Sequence, residues 1–261
     1  MDYKIIDFHT HPFLTNDQNI CNHKAFIDMT PDTTRSKAEK LGIEKICGSV
    51  VQVPNEDQKK DIWGFIKGLN DTALKLRDYY KGFYIPGFHI HSDFVKESCE
   101  EIDRMKGEGV NLIGELVPYF WGYRKYNTTG MHEITEYATK NDMIISFHPI
   151  ENDDIDGWVM AHPNTTFVAA HPGEYGDFMR HIERMKKHDN YYLDLSGYGV
   201  FREGMLRRAI DEVGADRILF GSDYPTCTMA MYVGSVILDE LITDTEKEKI
   251  LYLNAKRLLK L

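Results

Sequence analysis

Two histidines separated by one residue, His9 and His11, stand almost at the start of the chain in the run Ile5-Ile6-Asp7-Phe8-His9-Thr10-His11. The residues before them are apolar and β-branched, which predicts a buried strand. Side chains two apart on a strand project to the same side, so both imidazoles can grip one ion. Further metal-capable residues recur at the ends of later apolar segments. Glu115 lies late in 110–117, His148 closes 143–148, His171 closes 166–171, and Asp223 follows 217–221. Nitrogen and carboxylate donors without a thiolate suit zinc, manganese, iron or nickel, with zinc the first choice. Such a set with one open position would bind a water and activate it at neutral pH. Glu115 can bridge two ions, so one or two divalent cations are expected.

Residues this far apart in sequence need a fold that gathers strand ends. Apolar β-branched runs at 5–11, 44–53, 83–91, 110–117, 143–148, 166–171, 191–195 and 217–221 read as eight strands. Between them lie stripes with helical period: Ile62, Phe65, Ile66, Leu69, Ala73 and Leu76; Val95, Cys99, Ile102 and Met105; Met131, Ile134 and Ala138; Phe178, Ile182 and Met185; Met205, Leu206, Ala209, Ile210 and Val213. Thr30-Pro31-Asp32 is a helix start, and a last helix is expected over 245–261. Strict alternation without a linker predicts one (β/α)₈ barrel, a TIM barrel, over residues 1–261. An open doubly wound sheet would call for a G-x-G-x-x-G after the first strand, which is lacking. In a barrel the carboxyl ends of the strands share one face, and the metal-capable residues all fall there.

The chain has 261 residues with 42% hydrophobic content, enough for one large core and close to the about 250 residues of such a barrel. A formal charge of -10 argues against a general nucleic-acid or anionic-membrane partner, leaving a small-molecule substrate. Cys21, Cys47, Cys99 and Cys227 are scattered without C-x-x-C spacing, which points to free thiols in a reducing cytoplasm. No apolar run approaches the roughly 20 residues of a membrane span. A homodimer is the base-rate expectation for the assembly.

The motifs I-D-F-H-T-H at 6–11, A-A-H-P-G around His171, L-F-G-S-D-Y-P around Asp223 and L-N-A-K-R-L-L at 253–259 resemble the amidohydrolase superfamily. Within it the likeness is to the amidohydrolase-2 branch of small metal-dependent hydrolases and decarboxylases. The resemblance implies His9, His11, His148 and Asp223 as ligands of the main metal. It implies that His171 polarises substrate and water or ligates a second ion, and that Asp223 is also the base that takes a proton from water. Glu115 in I-G-E-L looks like the bridging glutamate of two-metal TatD-type hydrolases. Pro225 stands where the polymerase-and-histidinol-phosphatase barrels carry a histidine, which disfavours that kinship.

Other residues are candidates of a second rank. His91, paired with His89 at the end of the third strand, is expected to hydrogen-bond substrate. Arg124, beside Lys125, is expected to hold a substrate carboxylate. Tyr119, Trp121, Tyr198, Phe201 and Met229 are candidates for an apolar wall, and Asp7 for orienting a ligand. His23, His132, His162, His181 and His188 need only surface or capping roles. The leading expectation is metal-dependent hydrolysis of a small amide, lactone or ester, with metal-activated water as nucleophile and Asp223 as general base. The alternatives are non-oxidative decarboxylation of a small unsaturated or aromatic acid at the same site, and a non-catalytic metal-binding relative.

Overall fold

The computed structural model describes residues 3–21, 29–199 and 202–261; His23 and Phe201, named above, lie outside these. Among the described residues, the strands are β1 (Ile5–Asp7), β2 (Ile43–Gly48), β3 (Tyr84–Phe88), β4 (Leu112–Leu116), β5 (Ile144–Phe147), β6 (Thr166–Ala169), β7 (Tyr191–Asp194) and β8 (Ile218–Leu219). They pair in parallel in sequence order. The cylinder closes between its ends: Phe8 N donates to Phe220 O at 2.9 Å, His11 N to Tyr224 O at 2.7 Å, and Thr10 bridges Tyr224. The fold is the expected (β/α)₈ barrel.

The intervening helices are α1 (Pro31–Lys40), α2 (Ile62–Tyr80), α3 (Val95–Gly107), α4 (Thr129–Lys140), α5 (Asn152–Ala161), α6 (Tyr175–Lys187), α7 (Met205–Val213) and α8 (Met229–Ile237). Their apolar stripes follow the predicted faces; of the α2 stripe, Ile66, Leu69, Ala73 and Leu76 are buried, while Ile62 and Phe65 are half-buried. α1 begins where Thr30-Pro31 foretold, with the Thr30 hydroxyl accepting from Thr33 N at 3.2 Å. No helix among the described residues is long and apolar enough to cross a membrane.

Two apolar layers hold the barrel. The larger lies between strands and helices, with Trp158, Phe147, Phe167 and Tyr191 among its fully buried members. The smaller fills the lumen with Ile6, Phe8, Cys47, Leu112, Ile144, Val168 and Leu219, joined by Ala255 and Leu259 of the C-terminal segment. That segment runs through α9 (Asp244–Glu248), a π-helical turn at Lys249–Leu253 and α10 (Asn254–Leu258). Within the L-N-A-K-R-L-L motif, Asn254 Nδ2 donates to Ala215 O at 2.7 Å and to Ile218 O at 2.8 Å. A side-chain amide thus replaces ladder partners that the two-residue strand β8 lacks.

Several strands stop earlier than their apolar runs suggest. β2 ends at Gly48 because the chain there turns across Thr10: at φ 135°, a Cβ on Gly48 would sit 2.0 Å from the Thr10 carbonyl oxygen. All four cysteines are free thiols.

Candidate metal centre

His9 and His11 follow β1 on extended chain, and their Nε2 atoms approach to 3.2 Å. Glu115, near the end of β4, brings Oε2 to 3.4 Å from His9 Nε2 and 3.3 Å from His11 Nε2. Its other oxygen, Oε1, lies 3.4 Å from His171 Nε2 and 3.0 Å from His148 Nδ1. Asp223, four residues past β8, places Oδ1 3.4 Å from His11 Nε2 and 3.9 Å from His9 Nε2. Donor atoms of His9, Glu115 and His171, and of His9, His11 and Asp223, fall within 4.8 Å of one another, as a shared ion requires. His148 stands a step outside these triads, its ring 4.9 Å from that of His171.

The histidines are aimed by acceptors on their far nitrogens. His9 Nδ1 lies 2.9 Å from Asp194 Oδ2, His11 Nδ1 3.2 Å from Ser49 O, and His171 Nδ1 3.1 Å from Ser196 O. A proton on Nδ1 donated to each acceptor leaves the Nε2 lone pair directed into the cluster. The donor set therefore fits a divalent cation of borderline hardness. His171 and Asp223 both sit at left-handed φ, 61° and 58°, which non-glycine residues seldom adopt. Gly197 is required where His171 packs, since a Cβ there would lie 2.3 Å from the imidazole Nδ1.

Electrostatics point the same way. Burial disfavours a charged His9, yet Asp194 and Glu115 outweigh it and hold its pKa well above the imidazole range. His11 is raised to about 9, Asp223 and Glu115 again prevailing over burial. Burial alone would raise Glu115, but His9, His11, His148 and His171 draw it well below the usual carboxylate range. Buried anions and imidazoles arranged in this way attract a positive charge, either protons or a metal ion.

Asp194 and Ser196 were missed by the sequence reading, although Asp194 is an acidic residue closing an apolar strand, the same signal that marked Glu115. It is fully buried, and its other oxygen, Oδ1, accepts from Ser196 N at 2.9 Å and from the Ser196 hydroxyl. An asparagine offers one acceptor atom in place of two, so Asp194→Asn must lose either the His9 or the Ser196 contact. A 10- to 100-fold drop in metal affinity is expected. Titration of Mn²⁺ against a competing chelator measures it, and unchanged affinity would show that His9 does not depend on this carboxylate.

The second-rank candidates fall differently. His91 is buried away from the cluster with both nitrogens engaged: Nε2 donates to Trp121 O at 3.0 Å and Nδ1 accepts from Asp93 N at 3.1 Å. It packs a loop and has no nitrogen left for substrate. Arg124 is exposed and does not line the cleft above the cluster. Asp7 fastens the loop after β8, accepting from Ser222 N at 2.9 Å and the Ser222 hydroxyl at 2.6 Å, and also accepts from His9 N at 3.3 Å, so it holds the backbone of a cluster histidine. Trp121, Tyr198 and Met229 also stand outside the cleft lining, whereas Tyr119 belongs to it.

That cleft has a volume of about 660 Å³. His11, Glu115, His148, His171 and Asp223 contribute to it, faced by Val51, Val53, Val117, Tyr119 and Phe120. Tyr119 stands with its ring edge-on to His148, centroids 5.2 Å apart.

With this geometry established, comparison with known proteins adds kinship. A 2,6-dihydroxybenzoate decarboxylase from Rhizobium is 17% identical, with a TM-score of 0.76, covering 99% of this chain and 99% of its own. A dihydroxybenzoic acid decarboxylase from Polaromonas sp. JS666, holding manganese and the inhibitor 2-nitroresorcinol, is 16% identical at TM-score 0.75, covering 99% and 97%. A 5-carboxyvanillate decarboxylase from Novosphingobium aromaticivorans DSM 12444, also with manganese, is 15% identical at TM-score 0.72, covering 99% and 97%. At these identities the likeness is one of fold. No curated protein matches the sequence significantly. The expectation of hydrolysis is corrected by these decarboxylases. Both reactions start from a cation that polarises an oxygen of the substrate, so ligand types alone could not separate them. Zinc as first choice likewise finds no support beside two manganese-bearing relatives. A family model described as amidohydrolase matches residues 6–261, and the chain belongs to that family.

Proposed function

We propose that this protein is a metal-dependent, non-oxidative decarboxylase of a small aromatic or unsaturated acid. The observation that carries the reading is the cleft itself, in which an ion-seating cluster lies under a wall of Val51, Val117, Tyr119 and Phe120 that suits a flat apolar ring. Relatives of the same fold that decarboxylate dihydroxybenzoate and 5-carboxyvanillate support it.

His9, His11, Glu115, His171 and Asp223 would hold the ion, with His148 hydrogen-bonded to Glu115 beside them. The two triads share His9, whose Nδ1 is committed to Asp194. One remaining nitrogen lone pair serves one ion, which favours a single-metal centre; the manganese in two relatives makes Mn²⁺ the first metal to test. A bound divalent ion supplies Lewis acidity, orienting the substrate and drawing electron density from it.

The residues supply the rest. Val51, Val117, Tyr119 and Phe120 would pack against the ring on one side of the cleft. As the bond between ring carbon and carboxylate breaks, CO₂ leaves and its electron pair stays on the ring carbon, which takes a proton. Asp223 lines the cleft beside His11 and would take a proton from solvent water and pass it to that carbon. Mn²⁺-loaded protein incubated in D₂O with a panel of hydroxybenzoic acids is expected to release CO₂ and leave one deuterium at the vacated carbon. Turnover that incorporates ¹⁸O from labelled water without CO₂ would overturn the proposal.

A further inference from the structure

β4 and β5 do not run in simple register. Leu112 pairs Ile144 and Ile113 pairs Ile145, but Leu116 pairs Phe147, so β4 carries one extra residue at Gly114-Glu115. A bulge of this kind re-aims a side chain and interrupts the ladder beside it. Here the re-aimed side chain is Glu115, which touches every histidine of the cluster.

Just beyond the bulge the two strands are joined by one backbone bond, His148 N donating to Leu116 O at 2.9 Å, and a side chain from the following loop reinforces it. The Tyr126 hydroxyl faces Leu116 O at 3.1 Å and His148 O at 2.9 Å, and its proton is shared between the two carbonyls. Tyr126 is wholly buried, its ring stacked on Trp158 of α5 at 4.6 Å and 14° and edge-on to Phe147. The buried Asp154 carboxylate anchors its backbone, accepting from Tyr126 N at 2.6 Å and Asn127 N at 3.1 Å. The phenol is therefore fixed at both ends, and what it fixes is the spacing between the residue after Glu115 and His148 itself.

We infer that Tyr126 is a positioning residue, whose hydroxyl sets the relation between Glu115 and His148 and so the shape of the ion seat. This rests on the metal-dependent reading above. A control stands three residues away: the Tyr123 hydroxyl is also buried but has no hydrogen-bond partner among the described residues.

The test uses the full chain loaded with Mn²⁺. Tyr126→Phe keeps the stacked ring and removes only the hydroxyl. It is expected to weaken Mn²⁺ binding about tenfold, lower kcat by a similar factor with KM within about twofold, and alter the Mn²⁺ EPR spectrum. Tyr123→Phe should change none of these. A Tyr126→Phe protein with a lower thermal midpoint but wild-type Mn²⁺ affinity, EPR spectrum and kcat would show a purely structural hydroxyl and overturn the inference. If Tyr123→Phe produced the same losses, positioning by Tyr126 would be equally overturned. Failure of wild-type protein to bind Mn²⁺ in a manner abolished by His11→Ala would instead refute the metal reading, and this inference with it.

Discussion

Asp223→Asn is expected to lower kcat by about 10³-fold in Mn²⁺-loaded protein while leaving the barrel folded. The backbone of Asp223 does the structural work at this point: its N donates to His9 O at 2.9 Å, and its carbonyl accepts from Cys227 N at 3.0 Å. Neither bond involves the side chain. Its φ of 58° is also one that asparagine tolerates as readily as aspartate. The substitution thus removes little beyond the charge beside His11 and the ability to carry a proton. Metal content measured on the same sample separates loss of the ion from loss of proton delivery. A variant that retains its ion and turns over within tenfold of wild type would remove Asp223 from the mechanism.

Metal affinity is expected to rise steeply with pH, about tenfold per unit for each proton displaced, giving about 10⁴-fold between pH 6 and 8 for the two protons on His9 and His11. The sign follows from the cluster. Coordination needs the bare Nε2 lone pair of His11, yet burial notwithstanding, Asp223 and Glu115 hold that imidazole's pKa up at about 9. Below pH 9 the incoming ion must expel this proton, and one from His9, whose pKa Asp194 and Glu115 also hold well above the imidazole range. Protein stripped by chelator should show the mirror image. A group whose pKa is raised on folding contributes its full stability below its unfolded value of 6.5 and loses it as pH climbs toward 9. The thermal midpoint of stripped protein should therefore fall between pH 6.5 and 9 while the Mn²⁺-induced increase grows. Calorimetry in buffers of different ionisation enthalpy counts the protons released. Zero release at pH 7 would show that these imidazoles are already neutral.

The barrel was legible because its signals are local. Each strand is a short apolar run, each helix carries a stripe of period 3.6, and the parallel order follows from their alternation. Boundaries were less legible: 44–53 reads as one strand, but the contact between Gly48 and Thr10 that ends it joins residues from different strands. The residues of the candidate cluster could be listed because each lies at or near the end of an apolar run on what must be one face. Asp194 carried the same mark and went unread.

His91 and Arg124 show the limit from the other side. A polar residue at a strand end looks alike whether it faces substrate or spends both nitrogens on the backbone, as His91 does. The exposure of Arg124 depends on the path of its loop, which the packing of Trp121, Tyr123 and Tyr126 decides.

The sequence by itself determined the repeating strand and helix pattern, the donor types at the strand ends and the family likeness, since all of these are properties of neighbouring residues. Only the tertiary structure decided how the donors meet. The hydrogen bonds that aim His9, His11 and His171, the bulge that turns Glu115 inward and the Tyr126 tether join residues from separate strands and loops. Their geometry exists only once the cylinder has closed, because closure is what places those strand ends within hydrogen-bonding reach.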